Sequence, residues 1–314
     1  MDFLRTHAGK IAGAVLAVFV VLLLGERYMT TNTQHDGAQS SSQAANSGNA
    51  PNARSGDAPA ALPAQESLPV AGVEVLRAIP HDAQSFTQGL AFYNGALYES
   101  AGQYGMSSLR QIDPQTGKVL KKLNLDDAYF AEGLAVVNGK AYQLTWQSGI
   151  GFIYDIASFR QLRTFSYFGE GWGLTYDGEH LIMSDGTSSL RFLDPDSLLI
   201  RKMLTVTAAG APLKNLNELE IVGGELWANV WQTDSIARID LKTGAVVGWI
   251  NCAGLLAPDE RSRADVLNGV AFDAKRNILL ITGKNWSKMF EVRPLFLNGN
   301  GASSSQKPKN STGM

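Results

Sequence analysis

With 314 residues the chain can hold one large domain or two, and its formal net charge of −2 gives no basic footprint for a nucleic-acid partner. A single cysteine, Cys252, excludes an intramolecular disulfide and a cysteine metal cluster, and its apolar setting near Trp249 and Leu255 reads as a buried, inert thiol. The four histidines, His7, His35, His81 and His180, show no ligand spacing, and there is no Gly-x-Ser-x-Gly elbow, which argues against imidazole-based metal hydrolysis and against a serine triad.

The first element is an apolar run from Ile11 to Leu24 behind Arg5 and Lys10. It is short for a spanning helix and fits the h-region of an export signal. No clean Ala-x-Ala site follows it, so an uncleaved signal-anchor and a cleaved signal peptide both stay open. Either one puts the rest of the chain outside the cytoplasm, in the periplasm tethered to the inner membrane or secreted, with residues 11–24 as the membrane contact. Next comes a stretch rich in Ala, Ser, Asn and Gly that cannot offset its ordering entropy. The expected organisation is a targeting segment at 1–29, a tether at 30–70, a folded domain at 71–297 and a tail at 298–314.

Within the domain one phrase returns: Gln88-Gly89-Leu90, Glu132-Gly133-Leu134, Trp172-Gly173-Leu174, Asn217-Glu218-Leu219 and Asn268-Gly269-Val270. Repeats of this period mark arrays or propellers, in which each unit buries its apolar face against its neighbours. The first unit reads as four strands, Leu90 to Tyr93, Ala96 to Ser100, Ser108 to Ile112 and Lys118 to Leu123, broken by Asn94-Gly95 and by Asp113-Pro114-Gln115-Thr116-Gly117. Asp155, Asp194 and Asp240 recur at the position of Asp113 and read as turn formers. The fifth unit lacks its outer strand, and residues 73–79, which precede the first unit, are its natural donor. The expected fold is all-β: a five-bladed propeller of four-stranded blades, closed by that N-terminal strand.

Strand-one starts and strand-two ends of a blade share one end, so in a propeller they converge on one mouth. The starts supply Gln88, Glu132, Trp172, Asn217 with Glu218, and Asn268; the ends supply Glu99, Trp146, Asp185, Trp231 and Lys284. Trp227, inside a second strand, is expected in the core. Acids and amides lining a channel often serve only to satisfy backbone groups. Here, however, equivalent positions carry different chemistry in each blade, whereas a structural ring would repeat one residue. An aromatic pocket holding a carboxylate suits general acid/base work on a small neutral or cationic group. Glu132 is the leading candidate, and Glu218, one position out of register, is expected behind it. The channel stays open to a structural ion with oxygen ligands.

Several strings, among them Phe86-Thr-Gln-Gly-Leu90, Phe130-Ala-Glu-Gly-Leu134, Gly171-Trp-Gly-Leu174, Trp227-Ala-Asn-Val-Trp-Gln-Thr-Asp234 and Thr282-Gly-Lys-Asn-Trp286, resemble the plant and bacterial type of glutaminyl-peptide cyclotransferase. The resemblance spans about Val73 to Val292; one departure is Ala101, where the family pattern has threonine. It implies a five-bladed propeller that converts the N-terminal glutamine of a peptide or protein into pyroglutamate with loss of ammonia. By the same resemblance Glu132 is the proton shuttle and Trp146, Trp172 and Trp231 form the aromatic wall. Gln88, Asn217 and Lys284 grip the carboxamide or its oxyanion, and Phe86 stands at the rim. It further implies no catalytic cofactor or zinc and a monomer. The alternatives are a non-catalytic propeller that binds peptide N-termini and a metal-dependent propeller lactonase or hydrolase.

Overall fold

Asn94-Gly95 and Asn138-Gly139 have positive φ at both residues, 49° and 83° in the first pair and 49° and 75° in the second. That backbone matches the right-handed twist of the strands it joins, and each pair closes a tight hairpin. At the other turns the aspartates fold the chain with their own side chains: Oδ1 of Asp113, Asp155, Asp194 and Asp240 accepts the backbone N–H of Gln115, Ser158, Ser197 and Thr243.

These turns set out the strands in a computed structural model that describes residues 67–296. The expected targeting segment 1–29, most of the tether and the tail 298–314 lie outside the described residues. The N-terminal strand is β1 (Val70–Pro80). Then come β2 (Thr87–Tyr93), β3 (Ala96–Ala101), β4 (Ser108–Ile112) and β5 (Val119–Asn124), followed by β6 (Ala131–Val137), β7 (Lys140–Thr145), β8 (Ile150–Asp155) and β9 (Gln161–Ser166). A third set is β10 (Leu174–Tyr176), β11 (Leu181–Met183), β12 (Ser189–Leu193) and β13 (Ile200–Thr205), and a small hairpin follows, β14 (Thr207–Ala208) with β15 (Ala211–Pro212). The last strands are β16 (Leu216–Val222), β17 (Glu225–Val230), β18 (Ser235–Ile239), β19 (Val246–Asn251), β20 (Leu267–Asp273), β21 (Ile278–Gly283) and β22 (Lys288–Leu295). A one-turn helix, α1 (Pro258–Arg261), precedes β20.

The first three sets are antiparallel four-stranded sheets, and the remaining long strands form an eight-stranded sheet in the order β16-β17-β18-β19-β1-β22-β21-β20. β1 joins its two halves. It runs antiparallel to β22, from Gly72 opposite Leu295 to Pro80 opposite Lys288, and touches β19 in parallel at Val70 and Ala71. The open edge beside β22 is thereby covered.

Burial orders the strands within each sheet. β2, β6, β16 and β20 are buried over most of their length, whereas β5, β9 and β13 are half or fully exposed. The buried strands pack side by side, β2 against β6 and β20, β6 against β10, β10 against β16 and β16 against β20. Apolar clusters fill the spaces between sheets. Leu134, Ala141 and Phe152 meet Tyr98 and Leu109, while Ala271, Leu280 and Met289 near the C-terminus meet Leu90, Leu97 and Ile112 near the N-terminus. The arrangement is all-β and propeller-like. Trp227 is in the core, as its place within a strand requires. Among the described residues no helix is long and apolar enough to cross a membrane.

Candidate active site

Four of the inner strands take in one extra residue near their starts. Pairing jumps from Thr87 opposite Ala101 to Gly89 opposite Ser100, from Ala131 opposite Thr145 to Leu134 opposite Gln143, from Leu216 opposite Val230 to Leu219 opposite Ala228, and from Leu267 opposite Gly283 to Val270 opposite Ile281. A bulge leaves a residue out of the ladder and re-aims its side chain. Gln88, Glu132, Asn217 and Asn268 sit at these interruptions. Glycine follows three of them: a Cβ on Gly133 would lie 2.5 Å from the backbone nitrogen of Leu174, so the bare backbone is what lets neighbouring strands approach. In the fourth, Glu218 replaces the glycine. Its two carboxyl oxygens accept the N–H groups of Leu90 in β2 and Val270 in β20, at 3.2 and 2.8 Å. Glu218 is therefore a bracket behind the cavity, and burial pushes its carboxyl well above the usual range.

A cavity of about 330 Å³ brings together Phe86, Gln88, Glu132, Trp146, Trp172, Asn217, Trp231 and Lys284. Phe130, Gln232, Asp265 and Val266 complete its lining. The walls are aromatic: Phe130 lies edge-on to Phe86 and Trp146, with ring centres 5.9 and 5.6 Å apart, and Trp172 meets Trp231 at 5.7 Å.

Three expected mouth residues are elsewhere. Glu99 is sealed within β3, where its Oε1 takes hydrogen bonds from His81, Ser85 and Thr87 at 2.9, 2.7 and 2.7 Å. The backbone explains the error. Trp146, Trp231 and Lys284 each donate their N–H to a residue just before the inner strand, namely Phe130, Asn215 and Val266, and the counterpart in the first sheet is Gly102, which donates to Phe86. Gly102 has no side chain, and the Phe130 ring occupies the place where one would project. Asp185 turns back to pair with Arg191 at 2.5 Å and to cap the Thr187 N–H. Asn268 is buried behind the cavity, giving its amide hydrogens to Gln88 Oε1 and to the Thr87 carbonyl.

Glu132 is 4 % exposed and receives one hydrogen bond, from Gln88 Nε2 to Oε1 at 2.8 Å, which leaves Oε2 without a partner among the described residues. Burial drives its carboxyl well above the usual range; Lys284 opposes the shift and Glu170 adds to it. Gln88 Nε2 donates one hydrogen to Glu132 and its Oε1 accepts from Asn268, so the amide orients Glu132, and its second N–H makes no bond among the described residues. Lys284 is 5 % exposed, and its ammonium rests 4.8 Å from the centre of the Phe86 ring, with no hydrogen-bond acceptor among the described residues. Burial lowers its pKa, against the pull of Glu132 and Asp265. Asn217 Oδ1 is buried and has no hydrogen-bond partner among the described residues. Glu170, from the loop between β9 and β10, accepts the indole N–H of both Trp146 and Trp172. The sequence offered no pattern for Glu170 or Asp265, whereas Phe130 stood two residues before Glu132 in a string already singled out.

The remaining candidates are silent. Cys252 is buried and its thiol is pushed up to about 12. His81 bridges Glu99 and the Trp286 carbonyl, with the Thr282 hydroxyl 3.5 Å from its Nδ1, and is held as part of the Glu99 cluster. Among the described residues no group of three or more His, Cys, Asp or Glu side chains converges as a metal site.

A family model described as glutamine cyclotransferase matches residues 48–294. The glutaminyl-peptide cyclotransferase of Arabidopsis thaliana is 41% identical over 227 residues, covering 70% of this chain and 71% of that protein. The crystal structure of the Myxococcus xanthus glutaminyl cyclase superposes with a TM-score of 0.67 at 34% identity, covering 74% of this chain and all of that one. The family model runs through every sheet and through all the residues that line the cavity, and the chain belongs to the glutamine cyclotransferase family.

Proposed function

We propose that the protein cyclises the N-terminal glutamine of peptides and proteins to pyroglutamate and releases ammonia. The scaffold in this reading is a five-bladed propeller: the eight-stranded sheet counts as two blades joined at β1, which completes the last blade. One observation carries the proposal beyond family membership. Inside an aromatic cavity stand a carboxylate oxygen, an ammonium and an amide oxygen that take no hydrogen-bond partner among the described residues, on Glu132, Lys284 and Asn217.

Each has a task. The α-amino group arrives as a cation near its ordinary pKa of about 8, and the faces of Trp146, Trp172 and Trp231 suit it. A raised Glu132 pKa lies nearer to that of the amine, so proton exchange between them costs little. That first proton passes on to solvent, and the neutral amine, with Glu132 ionised again, attacks the γ-carboxamide carbon. As the new C–N bond forms, the carbonyl π pair moves onto oxygen and Glu132 takes a proton from the attacking nitrogen. The oxyanion falls to the Lys284 ammonium, with donors in place before charge develops. When it collapses, the old C–N bond breaks, Glu132 passes its proton to the departing nitrogen, and ammonia leaves. Asn217 Oδ1 accepts an N–H of the substrate and holds it in the attacking geometry. Phe86 and Phe130 close the rim against water.

In this reading no cofactor takes part in catalysis, an ion held by oxygen ligands in the channel is structural, and the protein acts as a monomer. Residues 11–24 export it and, if uncleaved, tether it on the outer side of the inner membrane.

The full-length protein should convert a glutamine-initiated peptide into a product lighter by one ammonia, at a rate that a chelator leaves unchanged. A peptide bound but never shortened in mass over a broad pH range would point to a binding propeller. Turnover abolished by a chelator, with the fold intact, would point to a metal-dependent hydrolase.

A further inference from the structure

Trp146 and Trp172 come from different sheets, one just after β7 and the other just before β10, yet their indole N–H groups end on the same atom. Oε2 of Glu170 accepts both, at 2.8 and 2.9 Å, while Oε1 accepts Gln147 Nε2 at 3.1 Å. An indole nitrogen can only donate, and an ionised carboxylate can only accept, so one acidic side chain satisfies both rings where a neutral amide would bring a competing donor. Glu170 lines a neighbouring cavity of about 420 Å³ and not the catalytic one, so it stands behind the aromatic wall. The loop that carries it is pinned to the same wall, because the Gly171 N–H donates to the Trp146 carbonyl at 2.9 Å.

We propose that Glu170 is a positioning residue of the cyclase site, one that locks the two indoles into a single wall and keeps a negative charge behind the place where the substrate ammonium docks. The proposal rests on the cyclase reading. Two physical effects follow from the geometry. A carboxylate that draws on an indole N–H makes the ring face more negative, which strengthens its hold on a cation. The same charge also opposes ionisation of Glu132, acting against Lys284, which is itself drawn by Glu132 and Asp265. Glu170 therefore tunes both substrate affinity and the pH at which Glu132 becomes a base, without touching the reacting atoms.

The test compares Glu170→Gln and Glu170→Ala in the full-length protein. KM for a glutaminyl-glycine peptide should rise by about tenfold in the alanine variant and by less in the glutamine variant, with kcat within about threefold of wild type, the pattern of lost binding that is shared by ground and transition states. In both variants the acidic limb of the kcat/KM profile should move to lower pH, because a negative charge beside Glu132 is gone. A merely structural residue would lower the melting temperature and leave that limb in place, and this result would overturn the proposal. Titration of tryptophan fluorescence with the same peptide gives a readout that does not depend on turnover. If wild type binds without releasing ammonia, the cyclase reading fails, while weaker binding by both variants still supports the role of Glu170 in holding the wall. If wild type cyclises and neither KM nor the limb moves, the Glu170 proposal fails alone.

Discussion

Glu99 and Glu132 are both sealed from solvent, at 0 and 4 % exposure, and their carboxyl groups shift in opposite directions. Burial by itself raises the pKa of each. Around Glu99 that penalty is outweighed by the His81 charge and hydrogen bond, by Arg110 at 3.7 Å and by Thr87, so its carboxyl is held at about 2. Both ring nitrogens of His81 face oxygen, at the Trp286 carbonyl and at Glu99, so both carry protons, and the pair is a buried ion pair. Around Glu132 there is one amide donor and a lysine that makes no direct bond to it, and burial prevails. The neighbours therefore separate a carboxylate that ties structure together from one that can exchange a proton. The two regions also meet: the Asn285 N–H donates to the Ser85 carbonyl and the His81 N–H to the Ser287 carbonyl, so the Glu99 cluster joins the loop bearing Phe86 to the loop bearing Lys284.

Removing the Glu99 charge should break this comparison most severely. Glu99→Gln leaves a buried imidazolium without its counter-charge and should cost about 3–5 kcal/mol in denaturant unfolding; a loss below about 1 kcal/mol would show that the pair is not ionic. The pH dependence has a defined sign. Since Glu99 falls from 4.5 to about 2 on folding, its contribution is full above pH 4.5 and is lost as the pH falls toward 2. The raised pKa of His81 gives the mirror image, with stability present below its unfolded value of 6.5 and lost as the pH rises through the folded one. The Gln variant should lack the acid-side loss.

A smaller change sharpens the other half. Lys284 holds the Glu132 pKa down, so Lys284→Met should move the acidic limb of kcat/KM to higher pH and lower the rate by about 10²-fold through the lost oxyanion partner. An unmoved limb would separate Lys284 from Glu132 electrostatically.

Local chemistry made much of this molecule readable in advance. The Asn94-Gly95 and Asn138-Gly139 hairpins and the aspartate turns follow from short-range rules, while the donation of β1 to β22 and the convergence of Gln88, Glu132, Trp172 and Asn217 follow from the repeat, through its missing last strand and its equivalent strand ends. What escaped depends on register and on loops. Nothing in the alternation of β3 separates Glu99 from a cavity position three residues on, and Gly102, which occupies that position, has no side chain to announce it. The engaged amide of Gln88 is a cross-strand property that depends on Asn268, 180 residues away. Glu170 lies in an irregular segment whose path is set by contacts with two sheets, and its only local sign is the nearness of Trp172. The β14–β15 hairpin, between β13 and β16, and α1, between β19 and β20, are short insertions that disturb no repeat.

The role of Glu132 is tested most directly by ammonia release from a glutamine-initiated peptide with purified Glu132→Gln, whose amide keeps the shape of the side chain and loses the base. The variant should unfold like wild type and release ammonia at least about 10³-fold more slowly at every pH, since the general acid and general base steps both use this group. A folded variant that cyclises at a rate near wild type would contradict the account.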